Sequence, residues 1–280
     1  MTVANILAIA GSDPSGGAGI QADLKTIQAN GGYGMAVITA LTAQNTKGVS
    51  GIHEVPAAFV EQQIMTILKD IRIDAIKIGM LAKADIIRAV AGCLDHLTGV
   101  PVVLDPVCVA TSGARLIAPD AIDAMKTELL PKADILTPNI PEAGELLNRI
   151  APRDRNDMEQ AAKRLLKLGP NAVLLKGGHL KGNICSDVLA GSEGLSWFED
   201  ARIATPNTHG TGCTLSSAIA TQLPVKTALS EAVGAARDYL RGAIMHGHML
   251  SVGRGHGPVC HGWRQRQSGD THDAASTEDA

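Results

Sequence analysis

Residues 6–19, Ile6-Leu7-Ala8-Ile9-Ala10-Gly11-Ser12-Asp13-Pro14-Ser15-Gly16-Gly17-Ala18-Gly19, pass from an unbroken apolar run into a loop rich in glycine. A short run without polar alternation suits a strand buried on both faces. The glycines and the proline mark a turn, and Gln21–Ala29 then takes up a helical period carrying Asp23 and Lys25. The loop is not a Walker A motif, because no Lys-Ser/Thr follows its last glycine, and it lacks the GxGxxG spacing of a dinucleotide fold. Its glycines either let a flat ligand lie against the backbone or simply permit a tight strand-to-helix turn.

The same unit recurs along the chain. Ala36–Leu41, Ala75–Ile78, Val102–Leu104, Ile135–Thr137 and Ala172–Leu175 read as further strands. Ala57–Lys69, Ala84–His96, Ala121–Leu129 and Asp157–Leu168 read as the helices between them. A β-α repeat of this kind predicts an α/β fold with a parallel sheet covered on both faces and its chemistry at the carboxyl ends of the strands. Asp187–Ala204 reads instead as a hairpin at a sheet edge, followed by helices near Thr214–Gln222 and Thr227–Leu250 that are separated at Pro224. Residues 1–263 are expected to form one domain. Residues 264–280 turn polar and offer too little apolar surface to offset the entropy of ordering, so they read as a disordered tail.

Composition narrows the function classes. Aromatics supply only 2% of 280 residues, so the core must be aliphatic. A net charge of −3 and the absence of a Lys/Arg run argue against nucleic acid as a partner. Five scattered cysteines without a CxxC pair suggest reduced thiols. No basic leader precedes the first apolar stretch and no apolar run is long enough for a membrane helix, which leads to the expectation of a cytoplasmic protein.

The strongest chemical signal is His209-Gly210-Thr211-Gly212-Cys213-Thr214, a glycine-bearing turn running into an apolar helix. Helix-entry N–H groups with no acceptor and the positive end of the dipole favour an anion there. A thiol in that first turn is expected to have a lowered pKa and to serve as a base. Asp105, closing one strand, and Glu142, following another, are candidate oxygen ligands for magnesium, which takes few carboxylates beside nucleotide phosphates. Each also has an ordinary structural reading, as an Asp-Pro turn and as a first-turn helix carboxylate. Lys176, at the end of Ala172–Leu175, places a cation where phosphate charge needs neutralising.

Together these segments resemble the hydroxymethylpyrimidine/phosphomethylpyrimidine kinases of thiamine biosynthesis, a branch of the ribokinase-like superfamily. The resemblance rests on Ala10–Thr26, Ala40–Thr46, Lys77–Leu81, Asp105-Pro106-Val107, Thr137-Pro138-Asn139 with Glu142, Lys176–His179 and Asn207–Thr214, in family order over residues 4–263. It implies a ribokinase-like three-layer α/β/α sandwich with about nine strands in a mostly parallel sheet. It also implies a homodimer using ATP and magnesium to phosphorylate a hydroxymethylpyrimidine and then its monophosphate. By the same resemblance Gln44 and Asp23 read the aminopyrimidine, while Gly11, Ala18, Met80 and Val107 line its pocket. Gly210, Thr211, Gly212 and Lys176 then form the anion hole for the ATP phosphates, and Cys213 stands where the superfamily has its basic Asp. Three departures stand out: Arg237 where Lys is expected, Cys108 where Met is common, and the polar tail. The rival readings are a pyridoxal kinase, against which Gln44 and Ala110 count, and a non-catalytic vitamin sensor.

Overall fold

Alternation along the first strand decides the layering. In β1 (Asn5–Ser12), Leu7 and Ile9 enter one buried cluster, whereas Ile6, Ala8 and Ala10 enter another on the opposite side. The computed structural model describes residues 2–108 and 117–266. Among these, nine strands form one sheet. They are β1, β2 (Tyr33–Asn45), β3 (Gly48–Glu54), β4 (Ala75–Ile78), β5 (Val102–Leu104), β6 (Ile135–Leu136), β7 (Val173–Leu175), β8 (Ile184–Gly191) and β9 (Gly194–Ala201). Their order is β3-β2-β1-β4-β5-β6-β7-β8-β9, parallel from β2 to β7 and antiparallel where β3, β8 and β9 join.

Helices α1 (Gly19–Ala29), α7 (Thr211–Gln222) and α8 (Leu229–Met245) pack on the Ile6 face. Helices α2 (Ala57–Leu68), α3 (Ala84–Leu94), α4 (Pro119–Ala124), α5 (Ile140–Leu147) and α6 (Arg155–Leu166) pack on the Leu7 face. The result is the three-layer α/β/α sandwich. Its aliphatic core lets the helices approach closely: the buried side of α7 includes Ser216, Ser217, Ala218 and Ala220.

The differences from the sequence reading lie mostly in extents. The strand read at Ala36–Leu41 runs from Tyr33 to Asn45 and pairs with β3, which was not predicted because Gly48 and Gly51 blur its pattern. The edge hairpin starts at Ile184, three residues before the predicted Asp187, and turns through Ser192 and Glu193. Ala121–Leu129 is split between α4 and a π-helical turn at Met125–Leu129. The last helix stops at Met245, short of Leu250, and a 3₁₀ turn follows at Gly247–Met249.

Residues 251–257 cross the end of the β2–β3 hairpin, where the N–H groups of His256 and Gly255 donate to the Thr46 carbonyl at 3.0 Å and to its Oγ1 at 3.2 Å. Of the expected tail, residues 264–266 belong to a helical turn begun at Trp263, and residues 267–280 lie outside the described residues.

Candidate active site

The parallel strands end level. Backbone N–H groups of Gly79, Asp105, Thr137 and Lys176 donate at 2.9 Å to Ile9, Ile78, Leu104 and Pro138, so side chains that follow consecutive strands emerge side by side. They open onto a cavity of about 680 Å³, within the range of small-molecule sites. Gly11, Ala18, Gln44, Met80 and Val107 line it, as do Asp105, Glu142, Lys176, Gly210, Thr211, Gly212 and Cys213.

At one end stands the entry of α7. Gly210 is its N-cap with φ 80° and no side-chain cap, and a Cβ there would fall 1.8 Å from the Gly17 carbonyl oxygen, so only glycine fits. A Cβ on Gly212 would stand 3.3 Å from Asp105 Oδ2 and 3.4 Å from Lys176 Nζ, which puts the first turn almost against that ion pair. Lys176 Nζ donates to Asp105 Oδ1 at 2.9 Å, and Thr137 Oγ1 donates to the same oxygen at 3.2 Å. Burial opposes the Lys176 charge, yet the Asp105 and Glu142 carboxylates outweigh it and hold the ammonium above its ordinary pKa. The structure therefore brings a helix entry without a side-chain cap and a fixed cation to one wall.

Glu142 has the structural role its position allowed. Its Oε2 accepts from the Asn139 N–H at 2.7 Å while Asn139 Oδ1 accepts from the Glu142 N–H at 2.9 Å, a capping box that opens α5. It also faces the cavity, where burial, with the Asp105 charge adding and Lys176 opposing, pushes its pKa up to about 7. Among the described residues no group of three or more His, Cys, Asp or Glu side chains could hold a metal. Two hard carboxylates fit a magnesium ion that takes its remaining ligands from phosphate and water.

Two expectations need correction. The helix dipole does not lower the Cys213 thiol, because burial pushes it up to about 11, with Lys77 opposing. Asp23 does not line the cavity: its side chain is fully buried, with Lys77 Nζ 2.7 and 2.8 Å from its two oxygens and Ser217 Oγ donating at 2.8 Å. Its carboxylate is spent on holding a buried cation beneath the site. Lys77 was legible as an anomaly, since a lysine inside the apolar strand Ala75–Ile78 requires a buried partner.

Other contributors gave no sequence signal beyond their motifs. Asp13 and His209 join the two glycine loops, with Nε2 2.8 Å from Oδ2. Burial works against the Asp13 charge, but hydrogen bonds from His209 and Ser15 hold its pKa below the ordinary value. Arg237 bridges Asp187 and Asp200, and Asp187 accepts from the Gly177 N–H at 2.8 Å, directly beyond Lys176. A guanidinium reaches both acids through different nitrogens, which gives Arg rather than Lys a use here. Cys108 is buried, with Sγ 3.2 Å from the Pro106 carbonyl. Ala110 lies outside the described residues.

A sequence model of the phosphomethylpyrimidine kinase family matches residues 13–260. The chain belongs to that family. The hydroxymethylpyrimidine/phosphomethylpyrimidine kinase of Escherichia coli strain K12 is 48% identical over 257 residues, covering 92% of this chain and 97% of that protein. A bifunctional thiamine biosynthesis protein of Geobacter sulfurreducens is 50% identical over 257 residues, which are 92% of this chain and 52% of that longer protein. Among solved structures, the pyridoxal kinase of Staphylococcus aureus in complex with AMP-PCP and pyridoxal superposes with a TM-score of 0.86 at 33% identity, over 95% of this chain and 96% of that one. This phosphomethylpyrimidine kinase family member thus has the fold of vitamin kinases and is an enzyme of the kinase class.

Proposed function

We propose that this cavity binds ATP and 4-amino-5-hydroxymethyl-2-methylpyrimidine together and carries out both successive phosphorylations, giving the pyrophosphate used in thiamine diphosphate biosynthesis. The observation that carries the reading is the packing of the Gly212 turn against the Lys176–Asp105 pair, in one cavity with Gln44. Helix-entry N–H groups and Lys176 would hold the γ-phosphoryl group as its charge spreads in transfer. Asp105 and Glu142 would hold magnesium, which supplies neutralising charge on the nucleotide phosphates. Gln44 offers an amide donor and acceptor to the ring nitrogen and exocyclic amine, beside a wall of Gly11, Ala18, Met80 and Val107. Cys213 would take the proton of the hydroxymethyl group in the first step as its thiolate, the minor form left once its own proton has passed to solvent. The second acceptor, a phosphate with its second pKa near 6, is already largely ionised at neutral pH and needs no such help.

Purified protein with ATP, magnesium and the hydroxymethylpyrimidine should release two successive equivalents of ADP. A single equivalent would refute the double activity, and none would leave a binding protein. Pyridoxal offered in place of the pyrimidine tests the rival reading, which the similarity to a pyridoxal-bound kinase keeps open as a side activity.

The full assembly is inferred to be a cytoplasmic homodimer of one domain spanning residues 1–263. Cys93, Cys185, Cys213 and Cys260 are free thiols, in keeping with a reducing compartment. No helix among the described residues is long and apolar enough to cross a membrane. The β2–β3 hairpin at the sheet edge, with Leu41 exposed on one face and Ile52 on the other, offers apolar surface to a second copy.

A further inference from the structure

The two ligands of the proposed reaction are served by separate glycine loops, residues 11–19 and residues 207–214, which meet at the cavity wall. Asp13 and His209 make the junction, and both are buried, at 2% and 7% exposed. The Asp13 carboxylate sets the path of its own loop: Oδ1 accepts from the Ser15 N–H at 2.9 Å and from Ser15 Oγ at 2.7 Å, and Oδ2 accepts from the Ala18 N–H at 2.9 Å. That same Oδ2 lies 2.8 Å from His209 Nε2, which donates to it. The His209 backbone N–H donates in turn to the Gly257 carbonyl at 3.1 Å.

The backbones leave no slack at this junction. A Cβ on Gly17 would stand 2.4 Å from His209 Cδ2, and one on Gly210 would stand 1.8 Å from the Gly17 carbonyl oxygen. Ala18, at one end of the linkage, belongs to the pyrimidine wall; Gly210, at the other, opens the phosphate turn. Neither loop can shift without displacing the other.

We propose that the His209–Asp13 pair is a positioning element that makes nucleotide and pyrimidine binding mutually reinforcing. This rests on the assignment of the two ligands to the two loops made above. A ligand that orders one loop then removes part of the ordering entropy the second ligand would otherwise face, and linkage makes the effect equal in both directions. A pair that merely stabilised the fold would leave the two affinities independent.

The test is calorimetric titration of hydroxymethylpyrimidine into the full chain, with and without AMP-PCP and magnesium. In the unsubstituted protein the nucleotide analogue should tighten pyrimidine binding by about tenfold. In His209→Ala that ratio should fall to near one while each ligand alone binds within about threefold of normal, and kcat should drop by about a hundredfold through lost alignment. His209→Gln, whose amide nitrogen can replace Nε2 as donor to Asp13, should restore the ratio. Should His209→Ala prove unfolded by circular dichroism, Asp13→Asn carries the same expectation. A ratio of one in the unsubstituted protein, or an undiminished ratio in a folded His209→Ala or Asp13→Asn variant, overturns the proposal. Failure of either ligand to bind the unsubstituted protein would instead overturn the functional assignment beneath it.

Discussion

Cys213 stands at the start of α7 with a thiol that burial raises to about 11, so at neutral pH only a small fraction is the thiolate that can take a proton. A base of that kind matters only when the acceptor still carries its proton. Cys213→Ala should therefore slow the first phosphorylation by about a hundredfold or more and the second by less than about tenfold, as single-turnover assays with each acceptor would show. Lys176→Ala should lower kcat by about a hundredfold with little change in pyrimidine affinity, whereas Gln44→Ala should raise the pyrimidine KM by about tenfold with kcat nearly intact. Equal defects in the two variants would show that phosphate and ring occupy other places. Cys213 and Lys176 were legible because each closes or opens an element beside glycine. The deeper support was not, since the pairing of Asp23 with Lys77 joins residues 54 positions apart.

At the scale of elements, the succession of strands and helices and their layering follow from period, while boundaries depend on contacts that no local pattern records. Strand β2 outlasts its apolar run because Thr42 and Gln44 keep alternating inward while it pairs with β3. Helix α7 depends on a neighbour from far along the chain, for His261 Nε2 lies 3.1 Å from Thr214 Oγ1. Burial, with Lys25 adding, pushes the His261 pKa down to about 4. An unfolded chain would protonate this histidine near 6.5, so between those values the unfolded state binds more protons. Its contribution is complete above pH 6.5 and fades as pH falls toward 4, an effect of at most about 3 kcal/mol. Urea unfolding at pH 4.5 and 7.5 should show His261→Gln less sensitive to pH than the unsubstituted protein. An unchanged difference would mean that His261 titrates normally in the folded chain.

For the molecule as a whole, the sheet has two different rims. The β8–β9 rim carries Asp187 and Asp200 under Arg237, whereas the rim at the β2–β3 hairpin exposes Leu41 and Ile52 on opposite faces. If the second rim joins two copies, Ile52→Glu combined with Leu41→Glu should convert a dimer to a monomer in sedimentation equilibrium without lowering Tm by more than a few degrees. A monomeric unsubstituted protein would remove the basis for that assembly. One further consequence belongs to the crossing of residues 251–257 over the hairpin. Gly255 is translated 209 positions after Thr46, the residue it clasps. A polypeptide leaving the ribosome therefore carries Gln44 on an unfastened hairpin until the codons for Gly255 and His256 have been read. Nascent chains stalled short of that segment should be unable to capture the vitamin precursor.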